Sequence, residues 1–192
     1  MGPRGVDYTS RNPAWNRSSM SDAPESRVLL ARQAILDGDA RLHGYELLFR
    51  GRFTSGEAAT SEVLLNAFGE LEIEDVVGSG VAFVNFSRPL LMAQPPFDPR
   101  RLVIEVLEDV EVDDCLIERL ATLRRQGYTI ALDDFVLGPA NEGLLPQASI
   151  VKLDLLSQTP EAVARDAERL SALGLTLLAE KVEYQETFRR CQ

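Results

Sequence analysis

Along this chain, one apolar run after another is broken by a carboxylate or an amide near its C-terminal end. Glu46 lies in "YELLFR", Asn85 in "VNFS" and Glu105 in "IEVLE". Asp133 and Asp134 follow "IAL", Lys152 and Asp154 interrupt "IVKLDL", and Glu180 and Glu183 follow "LTLLA". A single acid at such a place reads as a helix N-cap, or as a first-turn acid favoured by the helix dipole. Asp109, Glu111, Asp113 and Asp114, just ahead of a helical stretch, belong to that class. A converging set cannot consist of caps alone. Its mutual repulsion calls for divalent cations or bound cationic groups. A barrel or a sheet of parallel strands is the architecture that collects strand ends at one mouth.

The rest of the pattern agrees. "VLLARQAIL", the turn "DGDA" and "RLHGYELLF" read as an antiparallel pair opening the ordered chain at Val28. Helical periodicity follows over Glu57–Phe68 and Glu70–Val77. Strands are then expected over Val81–Ser87, Arg101–Leu107, Tyr128–Leu132, Ser149–Leu155 and Leu175–Ala179. Between them come a helix over Asp113–Gln126, closed by Gly127, and one starting at Thr159 and Pro160, closed by Gly174; "YQETFRRC" begins a last helix. Alternating strands and helices, with strands apolar on both faces, give an α/β domain with a mostly parallel sheet, either a barrel or an open doubly wound sheet. No glycine-rich phosphate loop follows any strand, which counts against a nucleotide-binding open sheet. Residues 1–26, rich in Ser, Pro, Arg and Asn and without periodicity, read as a disordered leader or added segment; residues 27–192 form the domain.

Charge narrows the function. Thirty acids against 20 Lys and Arg give a net charge of -10, which disfavours DNA, RNA and anionic membrane surfaces as partners. No apolar run is long enough to form a membrane segment, there is no signal-peptide core, and Cys115 and Cys191 make no disulfide framework, so a cytoplasmic location is expected. The one histidine, His43, sits beside Gly44 and reads as a surface or turn residue. An all-oxygen set of Asp, Glu and Asn suits Mg²⁺ or Mn²⁺ better than zinc or copper. With one acid shared between two ions, such a set can orient and deprotonate water for attack on phosphorus. Lys152 alternates with Ile150 and Asp154, pointing either at that attacking water or into a structural Lys–Asp pair.

In order, "RQAILD", "YELLFR", "FVNFS", "IEVLED", "ALDDF", "VKLD" and "AEKVE" resemble the EAL domain of cyclic di-GMP phosphodiesterases, in the divergent form found ahead of HDOD domains. The resemblance covers about Val28 to Cys191 and implies a TIM-barrel-like fold with an antiparallel first strand. It implies a two-metal site of Mg²⁺ or Mn²⁺, with Glu46, Asn85, Glu105 and Asp133 around one ion. Asp133 bridges to the second, which Asp134 and Glu180 complete. Lys152, Glu180 and Glu183 carry or support catalysis, and Gln33 and Arg50 contact cyclic di-GMP.

Departures from the family pattern follow Asp134, where "FVLGPANEG" replaces a loop rich in glycine and hydroxyls, although Glu108 still matches the acid that anchors it. Lys181 replaces a glycine, so that it either pairs with Glu180 or points outward. The family's last strand has no counterpart before Gln192, as in a truncated version of a longer protein. These departures favour a degenerate, non-catalytic regulatory module in cyclic di-GMP signalling. It would bind a protein partner, a second copy or cyclic di-GMP. The alternative is an active metal-dependent phosphodiesterase that releases the linear dinucleotide.

Overall fold

The computed structural model describes residues 28–51, 73–95, 97–139 and 141–192. The leader and the helix expected over Glu57–Phe68 lie outside them.

Seven strands form one sheet in chain order: β1 (Val28–Leu36), β2 (Leu42–Gly51), β3 (Val81–Phe86), β4 (Leu102–Val106), β5 (Thr129–Leu132), β6 (Ile150–Asp154) and β7 (Thr176–Glu180). The β1–β2 pair is antiparallel and every other pair parallel, as expected for the incomplete TIM-barrel-like architecture. The hairpin turn is tied by Asp37, whose Oδ1 accepts from the backbone N–H of Asp39 and Arg41. Strand β2 lies so close to β3 that a Cβ at Gly44 would sit 2.4 Å from the Val81 carbonyl oxygen, which explains the glycine beside His43. His43 itself is an exposed strand residue whose ring meets Phe83 edge-on. Gln192, after the last helix, donates to the Gly38 carbonyl in the β1–β2 turn, so the two ends of the sheet approach each other on that side.

The connecting helices are α1 (Ile73–Val77), α2 (Arg88–Met92), α3 (Asp114–Arg125), α4 (Pro160–Ala172) and α5 (Gln185–Arg190), with a 3-10 turn over Glu142–Gln147. Sequence reading missed α2 and the 3-10 turn, both too short to show a period. Helix α3 begins as expected on a cap: Asp113 accepts from the Leu116 N–H at 2.8 Å and also binds Arg88. Thr159 caps α4 in the same way, with Pro160 in the first turn.

Strand alternation divides the residues between two faces. Ala82, Val84, Leu102, Ile104, Val106, Ile130, Leu132, Val151 and Leu153 point outward and pack with Leu116, Leu120, Leu123 and Leu170 of the helices in the main core. A smaller apolar plug of Ile35, Phe83, Val103 and Ala131 fills the inner face. The polar residues lie one step further along the same inner rows.

Candidate active site at the strand ends

The register determines who meets whom. Asn85 pairs with Glu105 across β3–β4, Glu105 with Ala131 across β4–β5, and Asp154 with Glu180 across β6–β7. Directly paired residues of a parallel sheet share a face, so these side chains and Glu46, Asp133 and Lys152 line one mouth at the C-terminal ends of the strands.

Lys152 is the centre of the cluster. Only 1% of its side chain is exposed, and its Nζ lies 2.6 Å from Asp133, 2.9 Å from Glu105, 2.9 Å from Glu180 and 3.5 Å from Glu46. Burial alone would lower its pKa, but the Glu105 charge and the hydrogen bond to Asp133 outweigh burial, and the ammonium is held firmly protonated. Four carboxylates around one ammonium still leave three formal negative charges. Glu105 bears most of this conflict: it is fully buried, and burial pushes its carboxyl up to about 8 against the pull of Lys152. Burial likewise raises Glu180, helped by Asp133 and Asp134.

A second, outer group forms at the rim. Asp154, 9% exposed, accepts from the Leu156 N–H at 2.8 Å and binds the Lys181 ammonium at 2.5 Å, and this lysine holds its carboxyl below the usual range. Lys181 therefore neither pairs with Glu180 nor points away; it reaches one strand over. Sequence reading counted Asp154 among the strand-end acids but assigned it no ligand or catalytic role, since nothing in "VKLD" says that a lysine after β7 will reach it.

Asp134 follows Asp133 in a left-handed conformation, φ 42°, which swings its carboxylate away from the course of β5. The replaced loop beyond it is well braced. Asn141 donates to the Val136 carbonyl at 2.7 Å and accepts from the Gly138 N–H at 3.0 Å, and Gly138 accepts from Glu142 N–H at 3.0 Å. A cavity of about 250 Å³ between this loop and the end of β4 is lined by Glu108, Asp133, Asp134 and Phe135, with Glu108 itself exposed.

The remaining expected residues lie further out. Gln33 pairs with Glu46 across β1–β2 and is exposed, one strand from the cluster. Arg50 pairs with Leu29 further along β2, and its side chain is outside the described residues. Glu183 is exposed after β7, lining an apolar groove of about 420 Å³ between α4 and α5 with Tyr184.

Among the described residues no three acidic side chains form a ready-made cation cage, because the Lys152 ammonium stands between them. Their chemistry nevertheless fits a hard cation. Asn85 Oδ1, both Glu105 oxygens and Asp134 Oδ1 are buried without a hydrogen-bond partner. Lys152 meets Glu105 at ion-pair distance but outside hydrogen-bond alignment. Buried oxygens normally find partners, so this set is short of positive charge and of donors at once.

A curled parallel sheet, opened by an antiparallel hairpin and bearing a lysine-centred carboxylate mouth, defines an incomplete barrel of the TIM type with an oxygen-ligand site. No family model matches the chain. It is similar to the uncharacterized protein YuxH of Bacillus subtilis, 34% identical over 177 residues, which are 85% of this chain and 43% of that protein. It is also similar to the cyclic di-GMP phosphodiesterase CdgJ of Vibrio cholerae, 32% identical over 174 residues, 85% of this chain and 40% of that protein. The chain thus spans about two fifths of the length of the curated relatives it matches. Among solved structures, the Bacillus subtilis YkuI protein, with an EAL domain and in complex with substrate c-di-GMP and calcium, superposes with a TM-score of 0.63. It is 24% identical, and the match covers 83% of this chain and 49% of that one. The chain carries an EAL domain.

Proposed function

We propose that the domain acts in cyclic di-GMP signalling by binding this dinucleotide at the strand-end mouth with a divalent cation, Mg²⁺ or Mn²⁺, and hydrolysing it to the linear form. The observation that carries the reading is the Lys152 cluster: a buried ammonium shared by four carboxylates, with unsatisfied oxygens of Asn85 and Glu105 beside it. Such a concentration of buried charge costs stability, and a ligand of opposite charge is what relieves it. The name of CdgJ, at 32% identity, supports the same substrate.

Glu46, Asn85, Glu105 and Asp133 are the residues that would hold the cation. Bound there, it would lower the pKa of a water molecule and polarise a phosphoryl oxygen. Asp133, 2.6 Å from the Lys152 ammonium, would orient or accept a proton from such a water, and Lys152 would offer its charge to the phosphate. Arg50 and Gln33, on the hairpin side, are the proposed dinucleotide contacts, with Glu183 as an outer support.

A second reading, a receptor or protein-interaction module without turnover, is favoured by the loop after Asp134, whose Asn141 brace fixes one conformation. The module would work beside an HDOD domain, with a protein partner or as a homodimer, in the cytoplasm. Incubation with cyclic di-GMP and Mn²⁺, followed by chromatography, separates the two. Linear dinucleotide from the wild type and none from Glu46→Gln supports hydrolysis. Calorimetric binding without product supports the receptor. Neither binding nor product would overturn both.

A further inference from the structure

The chain on either side of Asp134 is gripped by the sheet. The Asp133 N–H donates to the Val106 carbonyl at 2.9 Å and the Phe135 N–H to the Lys152 carbonyl at 3.3 Å, so β4 and β6 each hold a neighbour of Asp134. The Phe135 side chain is buried in the main core. Asp134 between them is left-handed, a conformation that a residue with a side chain keeps only where its surroundings impose it. Past Phe135 the packing thins out: Val136 is 54% exposed and Leu137 only partly buried. The grip on the backbone there comes from one side chain. Asn141 Nδ2 donates to the Val136 carbonyl at 2.7 Å, and its Oδ1 accepts from the Gly138 N–H at 3.0 Å. An asparagine just ahead of a helical turn ordinarily caps it, yet Asn141 makes no such bond to the 3-10 turn that follows. Both ends of its amide reach back across the loop instead. The 3-10 turn is itself moored: Leu144 is buried in the core, Arg124 of α3 donates to the Pro146 carbonyl, and Arg169 of α4 binds Glu142 at 3.0 Å. Asn141 thus joins a fixed base to the residues that follow Asp134.

We infer that Asn141 is a positioning residue of the mouth: by tying Val136 and Gly138 to the 3-10 turn, it keeps Asp134 turned to the cavity that Glu108 and Asp133 also line, so that a dinucleotide meets a rim already set. The inference rests on the reading above that the mouth binds cyclic di-GMP, in its hydrolytic or its receptor form. A loop fixed in advance has no ordering left to do when the ligand arrives, which lowers the cost of binding. With the amide removed, Val136 and Gly138 lose their partners and the exposed stretch from Val136 to Pro139 has to be ordered by the ligand itself.

The test compares the affinity of the whole chain for cyclic di-GMP in the presence of Mn²⁺, read as Kd where no product forms and as KM where it does, with amide hydrogen exchange over the loop. Asn141→Ala should weaken binding about ten-fold, the scale of two lost hydrogen bonds. Asn141→Ser, whose hydroxyl supports the same kind of turn more weakly, should fall between Asn141→Ala and the wild type. Exchange should speed up at Gly138 in both variants. Thr159→Ala, which loosens α4 at its cap, should bind like the wild type. Wild-type affinity in Asn141→Ala, with the loop shown loosened by exchange, overturns the inference and leaves the cyclic di-GMP reading standing. Equal weakening by Thr159→Ala also overturns it, since the effect then belongs to general destabilisation. If Asn141→Ala does not fold, Asn141→Ser carries the same comparison. A wild type that binds no dinucleotide overturns the reading and the inference with it.

Discussion

The two faces of strands β4 to β6 are built from alternate residues of the same few segments and are chemical opposites. Outward, Ile104, Val106, Ile130, Leu132, Val151 and Leu153 pack under helices, where the hydrophobic effect and dense packing reward every one of them. Inward, Glu105 and Lys152 are just as buried but charged. One-residue alternation is what lets a strand hold both. The outer face makes the domain; the inner face spends part of that stability on a site. Removing an outward residue should therefore damage the fold and spare cation affinity, whereas an inward change should uncouple the two.

The largest effect is expected at the centre of the inner face. Lys152→Ala leaves Asp133, Glu105, Glu180 and Glu46 facing one another without their ammonium. Loss of one partner from a buried ion-paired group costs about 3–5 kcal/mol, and turnover should fall by about 10²–10⁴-fold. Thermal unfolding with and without Mn²⁺ checks it: the cation should restore part of the lost stability. A variant as stable as the wild type in EDTA would mean that the cluster is not under charge stress.

Next comes the outer face. Leu116→Ala, at a fully buried position of α3, should cost about 2–5 kcal/mol through lost burial and the cavity left behind. Mn²⁺ affinity per folded molecule should stay within about two-fold of the wild type. A large affinity change would show that helix packing positions the inner residues more tightly than the comparison allows.

How far the sequence could be read follows the same division. The outer face was plain, because apolar periodicity and caps are local: Asp113, Thr159 and Pro160 stand where the helices begin. The acids Glu46, Glu105, Asp133 and Glu180 were identified as a converging set, and they do converge, but on Lys152 rather than on one another. Pairings across strands were harder to foresee. That Lys181 meets Asp154 depends on a left-handed residue after β7, and a positive φ at lysine has no sequence signal. Asn141's brace of the loop is hidden likewise, since an Asn can cap, turn or do neither.

A smaller effect separates stability from function at a single inner residue. Glu105 has a carboxyl raised to about 8 in the folded protein, above the ordinary value of 4.5 that it regains on unfolding. Between those values the folded state binds the proton and the unfolded state does not, so stability falls as pH rises through that window. Tm in EDTA should decline from pH 5 to 8.5, and Glu105→Gln should flatten the decline. At pH 8 the variant should gain roughly 1–2 kcal/mol without cation and lose its Mn²⁺-induced stabilisation. A decline as steep in the variant as in the wild type would assign the effect to other groups.

The smallest expected effect is at the N-terminus of α4, just after β6. Thr159 Oγ1 accepts from the Ala162 N–H at 3.3 Å at the start of α4, a helix with Leu170 as its only fully buried residue among those described. With so little packing, α4 depends more than α3 does on its local signals, and its cap should matter in proportion. Thr159→Ala should cost about 1 kcal/mol, about 2–4 °C in Tm for a domain of this size. Thr159→Ser, which keeps the accepting oxygen, should recover most of it. Mn²⁺ stoichiometry and affinity should be unchanged in both, because the cap bonds to its own helix and to no residue of the mouth. Coupling between this cap and cation binding would mean that α4 reports on Asp154 and Lys181 through the β6–α4 connection, and that the two faces are less independent there than between β4 and β6.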